Sequence, residues 1–387
     1  MKVIHACYLP LSSDHPEFGK IWSHPGRWVL NLALAQKKHT RIEPALIVQV
    51  PGSNGDFSTS VEGIPVHYIA APRRFRSATF FFFDVQKICR RIRTLRPDFV
   101  HGHGLEDAYG LSAQKSGFPY VITAQGLHFL INRHVRPPMI SRERIVEFTE
   151  RYCLNKAHHV IAKSDYVAVR LKEKFLHLTI HRIPNTVDPR LFEINEEKDW
   201  DVVSFVGTII RRKGLDSLCA ALEKVRAEIP DVKLWVFGDD PETRSLYEKE
   251  IKERLYSLLG NNVVFHGAIP SLEVARRVAK ACVLVAPSRE EMFGNQLIEA
   301  LSVGTHAIVT EGTAMAENVR RFSAGTVVPQ GNSSALAREI IQALQTKRTP
   351  FDIAEVRKRI LEYMGPDVVA RQHEALYEQI FNSAKAF

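Results

Sequence analysis

Short apolar stretches alternate with longer amphipathic stretches along most of the chain. In the first half, this pattern predicts strands at residues 3–8, 45–50, 66–70, 99–102, 120–124, 159–162 and 180–183, with helices in most of the gaps. In the second half, it predicts strands at residues 202–207, 234–237, 263–266, 282–286 and 307–310. Regular alternation of strands and helices is typical of doubly wound parallel sheets, so we predict an α/β fold.

One segment near the middle interrupts this alternation. Residues 191–201 are rich in acidic side chains, and we interpret them as a linker. With 387 residues, of which 45% are hydrophobic, the chain has enough apolar residues for two ordinary cores. We therefore predict an N-terminal domain at residues 1–190, a C-terminal domain at residues 202–365 and a final amphipathic helix within residues 366–387.

The stretch at residues 287–300 carries the densest candidate chemistry. It joins a predicted strand to a predicted helix, so its loop is expected at the carboxyl edge of a parallel sheet, where open α/β sheets bind ligands. Asn295 can cap the helix after Gly294, whose missing side chain lets a phosphate or sugar approach the backbone. The N–H groups of the first helical turn then favour an anion.

Two carboxylates flank this helix start. Glu299 lies one turn inside the helix and can accept hydrogen bonds from a vicinal diol, while Glu291 lies in the loop and is free to meet a second set of hydroxyls. A diphosphate between two polyols fits this pattern, which predicts a nucleotide sugar as ligand. The alternative is an ordinary helix start whose acids only complement the helix dipole.

A basic loop follows the first predicted strand of the second half. After Gly207, the residues Arg211, Arg212 and Lys213 come directly before Gly214 and a long helix. Guanidinium and ammonium groups at this place suit a phosphate, and a solvated basic turn is the alternative.

Three loops of the first half end predicted strands and are expected to line a cleft. They are residues 101–104 with His101 and His103, residues 124–128 with Gln125 and His128, and residues 183–188 with Asn185. The long loop at residues 9–25, before Gly26, is expected to form part of the same cleft. Two histidines spaced by one residue are candidate metal ligands, but no further Cys, His or acidic cluster completes a set. We therefore predict polar cleft residues and no metal.

The loop after residue 286 resembles a known signature. Glu291, Phe293, Gly294 and Glu299 reproduce the E-x-F-G-x4-E pattern of the retaining glycosyltransferases of family 4. The pattern follows the usual Pro-Ser and precedes Glu-Ala, as in that family. Two carboxylates eight residues apart are common, but the whole string is specific.

Other segments extend the resemblance over nearly the whole chain. Residues 206–214 resemble the family's V-G-R-x4-K-G segment, whose Arg and Lys bind the donor diphosphate. Thr208 stands in the usual Arg position, so Arg211 or Arg212 is expected to supply the guanidinium. Gly238 stands in a segment that resembles the family's G-D pair.

The first half resembles the family with two departures. Residues 101–104 and 123–126 are similar to H-x-H-G and T-x-H-G segments, and residues 184–188 to a P-N-G-V-D segment with Thr186 in place of Gly. Gln125 stands where the family usually has a His near the donor sugar. Gln donates and accepts hydrogen bonds but does not titrate, and His128 is the alternative for that role.

The resemblance implies the GT-B fold, in which two Rossmann-like domains face each other across a cleft and the last helix crosses back to the first domain. It implies a retaining hexosyltransferase that moves a sugar from a nucleotide-sugar donor, most commonly a UDP-sugar, to a glycan or lipid-linked acceptor of cell-surface polysaccharide or glycolipid synthesis. In that family, attack occurs on the front face, the leaving phosphate helps to remove the acceptor proton, and the first domain binds most of the acceptor.

The resemblance also assigns residues. The catalytic candidates are Glu291, Gln125, His128 and Lys213. The donor-binding candidates are Gly207, Arg211, Arg212, Lys213, Gly238, Phe293, Gly294, Asn295, Gln296 and Glu299. The acceptor-side candidates are Gly26, His101, His103 and Asn185. Changing Lys213 or Glu299 to Ala is expected to abolish transfer and to leave the fold intact.

Other classes fit the sequence less well. The chain has neither the G-x-G-x-x-G of dinucleotide enzymes after its first strand nor the G-x4-G-K-[ST] of P-loop enzymes. Two alternatives stay open, a non-catalytic two-domain protein that binds a sugar or nucleotide sugar, and a GDP-sugar-dependent mannosyltransferase. No D-x-D segment is placed to hold a metal at the diphosphate, since Asp239-Asp240 lacks the spacing. We therefore predict metal-independent transfer with the nucleotide sugar as co-substrate and no further cofactor.

Charge suggests an anionic partner for the first half. Residues 1–200 hold 28 basic against 19 acidic residues, whereas the rest holds 24 of each, so the first half accounts for the net charge of +9. Within residues 73–96, a basic cluster surrounds four consecutive phenylalanines at 80–83. If residues 79–95 form one helix, these rings cannot all face one core, which favours an anionic membrane surface. The alternative is an ordinary surface helix whose phenylalanines pack inward and whose charges are solvated. A nucleic acid fits less well, because the rest of the chain describes a sugar cleft.

Cysteines and hydropathy bear on the compartment. The five cysteines are scattered and odd in number, as is usual for reduced thiols. No stretch reaches the length and hydropathy of a membrane span, and the start of the chain is expected to form a strand and not a signal peptide. We predict a cytoplasmic protein, peripheral on the inner face of the membrane, and the sequence leaves its oligomeric state open.

Overall fold

The computed structural model describes residues 1–20, 26–238 and 245–385. Contacts divide the chain into two units, Met1–Val187 with Tyr363–Phe387, and Asp188–Glu362. The predicted linker at residues 191–201 therefore lies inside the second unit.

The first unit is built on an eight-stranded sheet. Its strands are β1 (Lys2–Ala6), β2 (Glu43–Pro51), β3 (Phe57–Val61), β4 (Ile64–Ala71), β5 (Phe99–His103), β6 (Tyr120–Ala124), β7 (His159–Ala162) and β8 (Thr179–Arg182). Its helices are α1 (Trp28–His39), α2 (Phe82–Leu95), α3 (Ala108–Gln114), α4 (His128–Val135), α5 (Arg142–Lys156), α6 (Asp165–Lys172) and α14 (Pro366–Lys385). The strand order is β3-β4-β2-β1-β5-β6-β7-β8, and all pairs are parallel except β3 with β4.

The second unit is built on a six-stranded parallel sheet. Its strands are β9 (Asp199–Val206), β10 (Lys233–Phe237), β11 (Val263–Gly267), β12 (Ala281–Ala286), β13 (His306–Thr310) and β14 (Thr326–Val328), in the order β11-β10-β9-β12-β13-β14. Its helices are α7 (Leu215–Glu228), α8 (Leu246–Leu259), α9 (Ser271–Lys280), α10 (Asn295–Ser302), α11 (Ala314–Phe322) and α12 (Ser333–Thr346), followed by α13 (Ile353–Met364), which ends in the first unit.

The strands with the clearest sequence signal lie at the centre of the sheets. Every residue of β12 is buried, and so is every residue of β5 and β13. Strands that are covered on both faces usually carry continuous apolar side chains and do not alternate, which explains why β12, apolar throughout, was recognisable. The two parallel α/β units confirm the predicted fold class.

The structure differs from the predicted elements at four places. The strand β3 was missed because its Ser and Thr side chains alternate between exposed and half-buried positions in an antiparallel pair at the edge. The strand β14, with three residues, was also missed. The charged segment 191–201 contains most of the 3-10 helix Pro189–Glu193 and the start of β9. The helix predicted at residues 79–95 begins only at Phe82, because Phe80 and Phe81 adopt left-handed backbone angles.

The last helix belongs to the first unit. α14 packs against α1, and the buried Tyr377 hydroxyl lies 2.6 Å from His101 Nδ1 and accepts from Gln36 Nε2 at 3.3 Å. The ring of Tyr377 also stacks on Phe99 in β5, with centroids 4.7 Å apart. Among the described residues, no helix is long and apolar enough to cross a bilayer.

Candidate functional site

Two loops of the second unit meet at the carboxyl edge of its sheet. The chain runs from β9 outward through β10 and β11, and then returns to β12 on the other side of β9. The loops after β9 and β12 therefore flank the point where the strand order reverses, where such sheets bind ligands. Arg289 N donates to Arg212 O at 2.8 Å, so the two loops are joined through their backbones.

An ion pair whose side chains are only 12% and 13% exposed joins these loops. Lys213 Nζ donates to Glu291 Oε2 at 2.6 Å, and Arg212 places a guanidinium nitrogen 3.8 Å from the same oxygen. Burial alone would raise the pKa of Glu291, but the positive charges of Lys213 and Arg212 and a hydrogen bond from Gln296 lower it to about 2. The carboxylate predicted to be free in the loop is therefore charged and held by basic groups.

The three basic residues of the first loop have different surroundings. Arg212 donates to Glu290 O at 2.8 Å and faces Glu291. Arg211 instead places its guanidinium over the ring of Tyr247, 5.0 Å from the centroid. Of the two candidates for the missing guanidinium, Arg212 is the one that the structure places beside Glu291.

Sequence reasoning missed Arg289, which fastens the second loop to a helix. Its two terminal nitrogens donate to the carboxylate of Asp216 at 2.9 and 2.7 Å, in the first turn of α7. Such a bidentate pair fixes both position and orientation. The signal was weak, because an Arg in a loop and an acid at a helix start each look ordinary on their own.

The helix α10 begins differently from the prediction. Gly294 is the residue before the helix and Asn295 is its first residue, so Asn295 is not the cap. Gly294 has φ 81°, and a Cβ there would lie 2.3 Å from Met315 Cγ. The glycine is thus required by packing against Met315 and by the backbone, whether or not a ligand approaches.

The other donor-binding candidates lie on the same edge of the sheet. Glu299 is in the second turn of α10, where burial and then repulsion from Asp188 raise its pKa to about 7. A Cβ on Gly238 would lie 2.8 Å from Gly207 O, so the backbones after β9 and β10 touch. Phe293 is buried and accepts from Asn318 Nδ2 at 3.4 Å. Asp239 and Asp240 lie outside the described residues.

A small open pocket, called the cavity below, lies in the first unit, near the carboxyl edge of its sheet. It is lined by residues that include Trp28, His103, Lys163, Asn185, Thr186 and His373. His103 and Asn185, two of the four acceptor-side candidates, therefore share one cavity. Gly26 does not line it; the ring of Trp28 fills the space that a Cβ on Gly26 would need.

The fourth acceptor-side candidate, His101, is turned into the protein interior. Its two ring nitrogens lie 2.6 Å from Tyr377 OH and 2.6 Å from Thr123 Oγ1, and the residue is fully buried. His101 and His103 share one face of β5, but His101 is one pleat further from the strand end. The expectation that His101 lines a cleft is therefore wrong.

A third histidine joins this pair, contrary to the sequence analysis. His5, His101 and His103 place ring nitrogens within 4.8 Å of one another, because His5 in β1 lies beside His101 in the parallel register. His5 Nδ1 lies 2.9 Å from His103 Nε2, and His5 Nε2 lies 2.9 Å from Gln36 Oε1. A metal ion would have to displace these hydrogen bonds. Burial lowers the pKa of all three rings, so the three histidines are neutral.

The two candidates for the usual family histidine have different partners. Gln125 Oε1 accepts from Lys163 Nζ at 2.5 Å. The backbone N–H of His128 donates to Glu150 Oε2 at 2.7 Å, at the start of α4. Burial raises the pKa of Glu150 to about 8 although it accepts two backbone N–H groups. Both Lys163 and Glu150 were missed, since neither belongs to a recognisable motif.

Comparisons with known proteins cover both units. A family model described as Glycosyltransferase Family 4 matches residues 26–191, and one described as glycosyl transferases group 1 matches residues 201–346. The phosphatidylinositol N-acetylglucosaminyltransferase gpi3 subunit of Schizosaccharomyces pombe is 24% identical over 333 residues, which cover 82% of this chain and 69% of that protein.

Solved structures have the same fold. Sucrose-phosphate synthase from Thermosynechococcus elongatus superimposes with a TM-score of 0.79 at 21% identity, over 99% of each chain. Anabaena HepE in complex with UDP and glucose superimposes with a TM-score of 0.70 at 18% identity, over 98% of this chain and 100% of that one. The motifs, the family models and the fold agree: the chain is a glycosyltransferase of family 4 with the GT-B fold.

Proposed function

We propose that the chain transfers a sugar from a UDP-sugar to a glycan or lipid-linked acceptor, with retention of the anomeric configuration, in the synthesis of a cell-surface polysaccharide or glycolipid. The observation that carries this proposal is the buried pair of Lys213 with Glu291, placed beside Arg212 and the start of α10.

The arrangement suits a sugar diphosphate. Glu291 alone would repel the diphosphate, but its pairing with Lys213 offsets that charge and leaves Arg212 and the N–H groups of α10 to face the leaving group. The remaining oxygen positions of Glu291 can accept hydrogen bonds from the hydroxyls of the sugar. Glu299, one turn along α10, is the group proposed for the ribose hydroxyls.

Basic groups at this edge can stabilise the leaving diphosphate without a metal ion. The proposed attack occurs on the front face, and an oxygen of the leaving diphosphate takes the proton of the acceptor hydroxyl. No nucleophile from the protein is then needed. Gln125 and His128 are proposed to contact the reacting substrates. His103 and Asn185 are proposed to contact the acceptor.

Two relatives support the choice of substrates. HepE is solved with UDP and glucose, and the name of the gpi3 subunit gives phosphatidylinositol, a lipid, as acceptor and N-acetylglucosamine as the sugar transferred. A GDP-sugar is the alternative donor, because the loops that contact the base decide between the two and the motifs do not.

A nucleotide-sugar screen tests the proposal. Hydrolysis of UDP-glucose, UDP-N-acetylglucosamine and GDP-mannose should be measured without acceptor, together with the shift of the melting temperature by UDP and by GDP. We expect slow hydrolysis of a UDP-sugar and stabilisation by UDP. Preference for GDP-mannose and GDP would reverse the choice of donor, and a nucleotide that binds without any hydrolysis or transfer would favour a binding protein.

We further propose that the acceptor is met at an anionic membrane surface through residues 73–96. Phe75, Phe80, Phe82 and Phe83 are 79%, 50%, 52% and 65% exposed, whereas Phe81 packs inside. Aromatic rings that project beside basic side chains suit the interface of an anionic leaflet. Phe148 in α5, whose ring lies 5.5 Å from that of Phe80, extends the exposed aromatic area.

The structure removes one residue from this surface. Arg76 is tied to Asp84 at 2.9 Å and to Asp107 at 2.8 Å, with a side chain only 12% exposed. The charge-reversal test is therefore made at Arg73 and Arg74, which are exposed.

Sedimentation with vesicles that contain phosphatidylglycerol, at low salt, tests the membrane proposal. We expect the wild type to bind and the variant R73E/R74E to lose most binding, while Lys38→Glu, an exposed change in α1, leaves it unchanged. Wild type that stays in the supernatant, or equal binding by R73E/R74E, would defeat this part of the proposal.

A further inference from the structure

Gln125 and Lys163 lie side by side because of the strand register. β6 and β7 are parallel neighbours with Ala124 opposite Ala162, so the next residue of each strand leaves the sheet at the same level. Lys163 Nζ donates to Gln125 Oε1 at 2.5 Å. The contact is thus set by two core strands and does not depend on the conformation of a long loop.

The ammonium group fixes which way the amide of Gln125 faces. A lysine ammonium has only donors, so the group it meets must be the amide oxygen, and Nε2 must face the other way. Gln125 Nε2 is buried and has no hydrogen-bond partner among the residues that the structure describes. A buried N–H group without a partner is costly, and this cost disappears when a ligand oxygen takes the hydrogen bond.

Lys163 is itself placed to act through its charge. It is 7% exposed and lines the same cavity as His103 and Asn185. Its charge lowers the pKa of His103, at the end of β5, and that of Glu106, in the loop after β5, so it acts on the segment beside this cavity. A cation on the amide oxygen also polarises the N–H groups and makes them stronger donors.

We propose that Lys163 is a positioning residue that turns Gln125 into a fixed hydrogen-bond donor for an oxygen of the bound substrates. This inference rests on the proposed function. The substrate oxygen that meets Gln125 must accept a hydrogen bond. It is either a hydroxyl oxygen whose O–H points away from Gln125 or an oxygen that gains negative charge during transfer. Since neither N–H group of an amide titrates near neutral pH, the pair acts without taking or giving a proton.

The decisive variant is Gln125→Glu. It keeps the size of the side chain and gives Lys163 a carboxylate oxygen in place of the amide oxygen, but it removes both N–H donors. We expect kcat to fall at least about tenfold, the loss that follows from one hydrogen bond, with the melting temperature unchanged or raised. The KM for the donor should change less than kcat.

Lysine variants test the positioning role. Lys163→Met should also lower kcat, Lys163→Arg should restore much of it because a guanidinium can donate to the same oxygen, and the double variant K163M/Q125A should be no slower than Q125A alone. Lys156→Met, a matched change at an exposed lysine of α5, should leave kcat unchanged.

The inference and the proposed function fail in different ways. If the wild type neither hydrolyses nor transfers any nucleotide sugar, the proposed function fails. If the wild type is active and Gln125→Glu keeps its kcat, or if the losses of K163M and Q125A multiply in the double variant, the inference is overturned. Should K163M not fold, the result of Gln125→Glu still decides.

Discussion

Removing the ammonium of Lys213 is expected to destabilise the second unit as well as the donor site. In the variant Lys213→Met, the carboxylate of Glu291 stays buried, with the guanidinium of Arg212 3.8 Å away as the remaining charge partner in the described structure. A carboxyl whose pKa falls from 4.5 to about 2 has its charged form stabilised by about 3 kcal/mol at neutral pH. Loss of one partner of a buried pair costs a similar amount, about 3 kcal/mol.

The pH dependence has a definite sign. Because the folded pKa of Glu291 is lower than its unfolded value, the contribution is fully present above pH 4.5 and is lost as the pH falls towards 2. As the pH falls from 4.5 towards 2, the free energy of unfolding of wild type should therefore decrease by up to about 3 kcal/mol more than that of the variant Glu291→Gln.

Urea unfolding followed by circular dichroism measures these differences. We expect Lys213→Met to lower the free energy of unfolding at pH 7 and the double variant K213M/E291Q to recover most of the loss. Lys224→Met is the control: Lys224 lies in α7, and its ammonium donates to Ser334 Oγ of α12 at the surface, so this variant should stay within about 0.5 kcal/mol of wild type. If Lys213→Met also stayed within that margin, the ion pair would contribute nothing and the reasoning would be refuted.

Three further predictions concern the donor site. Glu299 has its pKa raised to about 7, so its charged form is favoured as the pH rises through 7. UDP affinity measured by calorimetry should therefore rise from pH 6 to pH 8. The variant Glu299→Gln should abolish that rise. Glu291→Ala should reduce kcat more than it reduces affinity for UDP, and an equal loss of both would move Glu291 from the sugar to the nucleotide. Transfer should persist in excess EDTA, and activity that disappears with EDTA and returns with Mn²⁺ would show a metal requirement.

The sequence predicted the elements whose signal is local. Continuous apolar runs gave the central strands, and the loop with Glu291, Gly294 and Glu299 was recognisable because its spacing is fixed by one turn and one helix. The sequence could not show that Lys213 pairs with Glu291, since 78 residues separate them. For this reason Lys213→Ala was expected to leave the fold intact, whereas the structure predicts a loss of stability.

The residues that were missed act through neighbours distant in sequence. Lys163 meets Gln125 only through the pairing of β6 with β7, and His5 joins His103 only through the pairing of β1 with β5. A pattern within one segment cannot reveal which strands become neighbours. The start of α2 was misplaced for a partly related reason, since Arg76, just before the turn at Phe80 and Phe81, pairs with Asp84 in α2 and with the more distant Asp107.

The position of α14 has a consequence for how the protein is made. The side chain of Tyr377 fills a place among Phe99, His101 and Gln36, so part of the interior of the first unit is supplied by residues synthesised after the whole second unit. The second unit is one contiguous segment, so all of it has left the ribosome before α14 does. The first unit, whose synthesis began earlier, still lacks this helix at that point. Folding of the first unit is therefore completed only after the second unit has been synthesised, and the place of Tyr377 stays open until α14 leaves the ribosome.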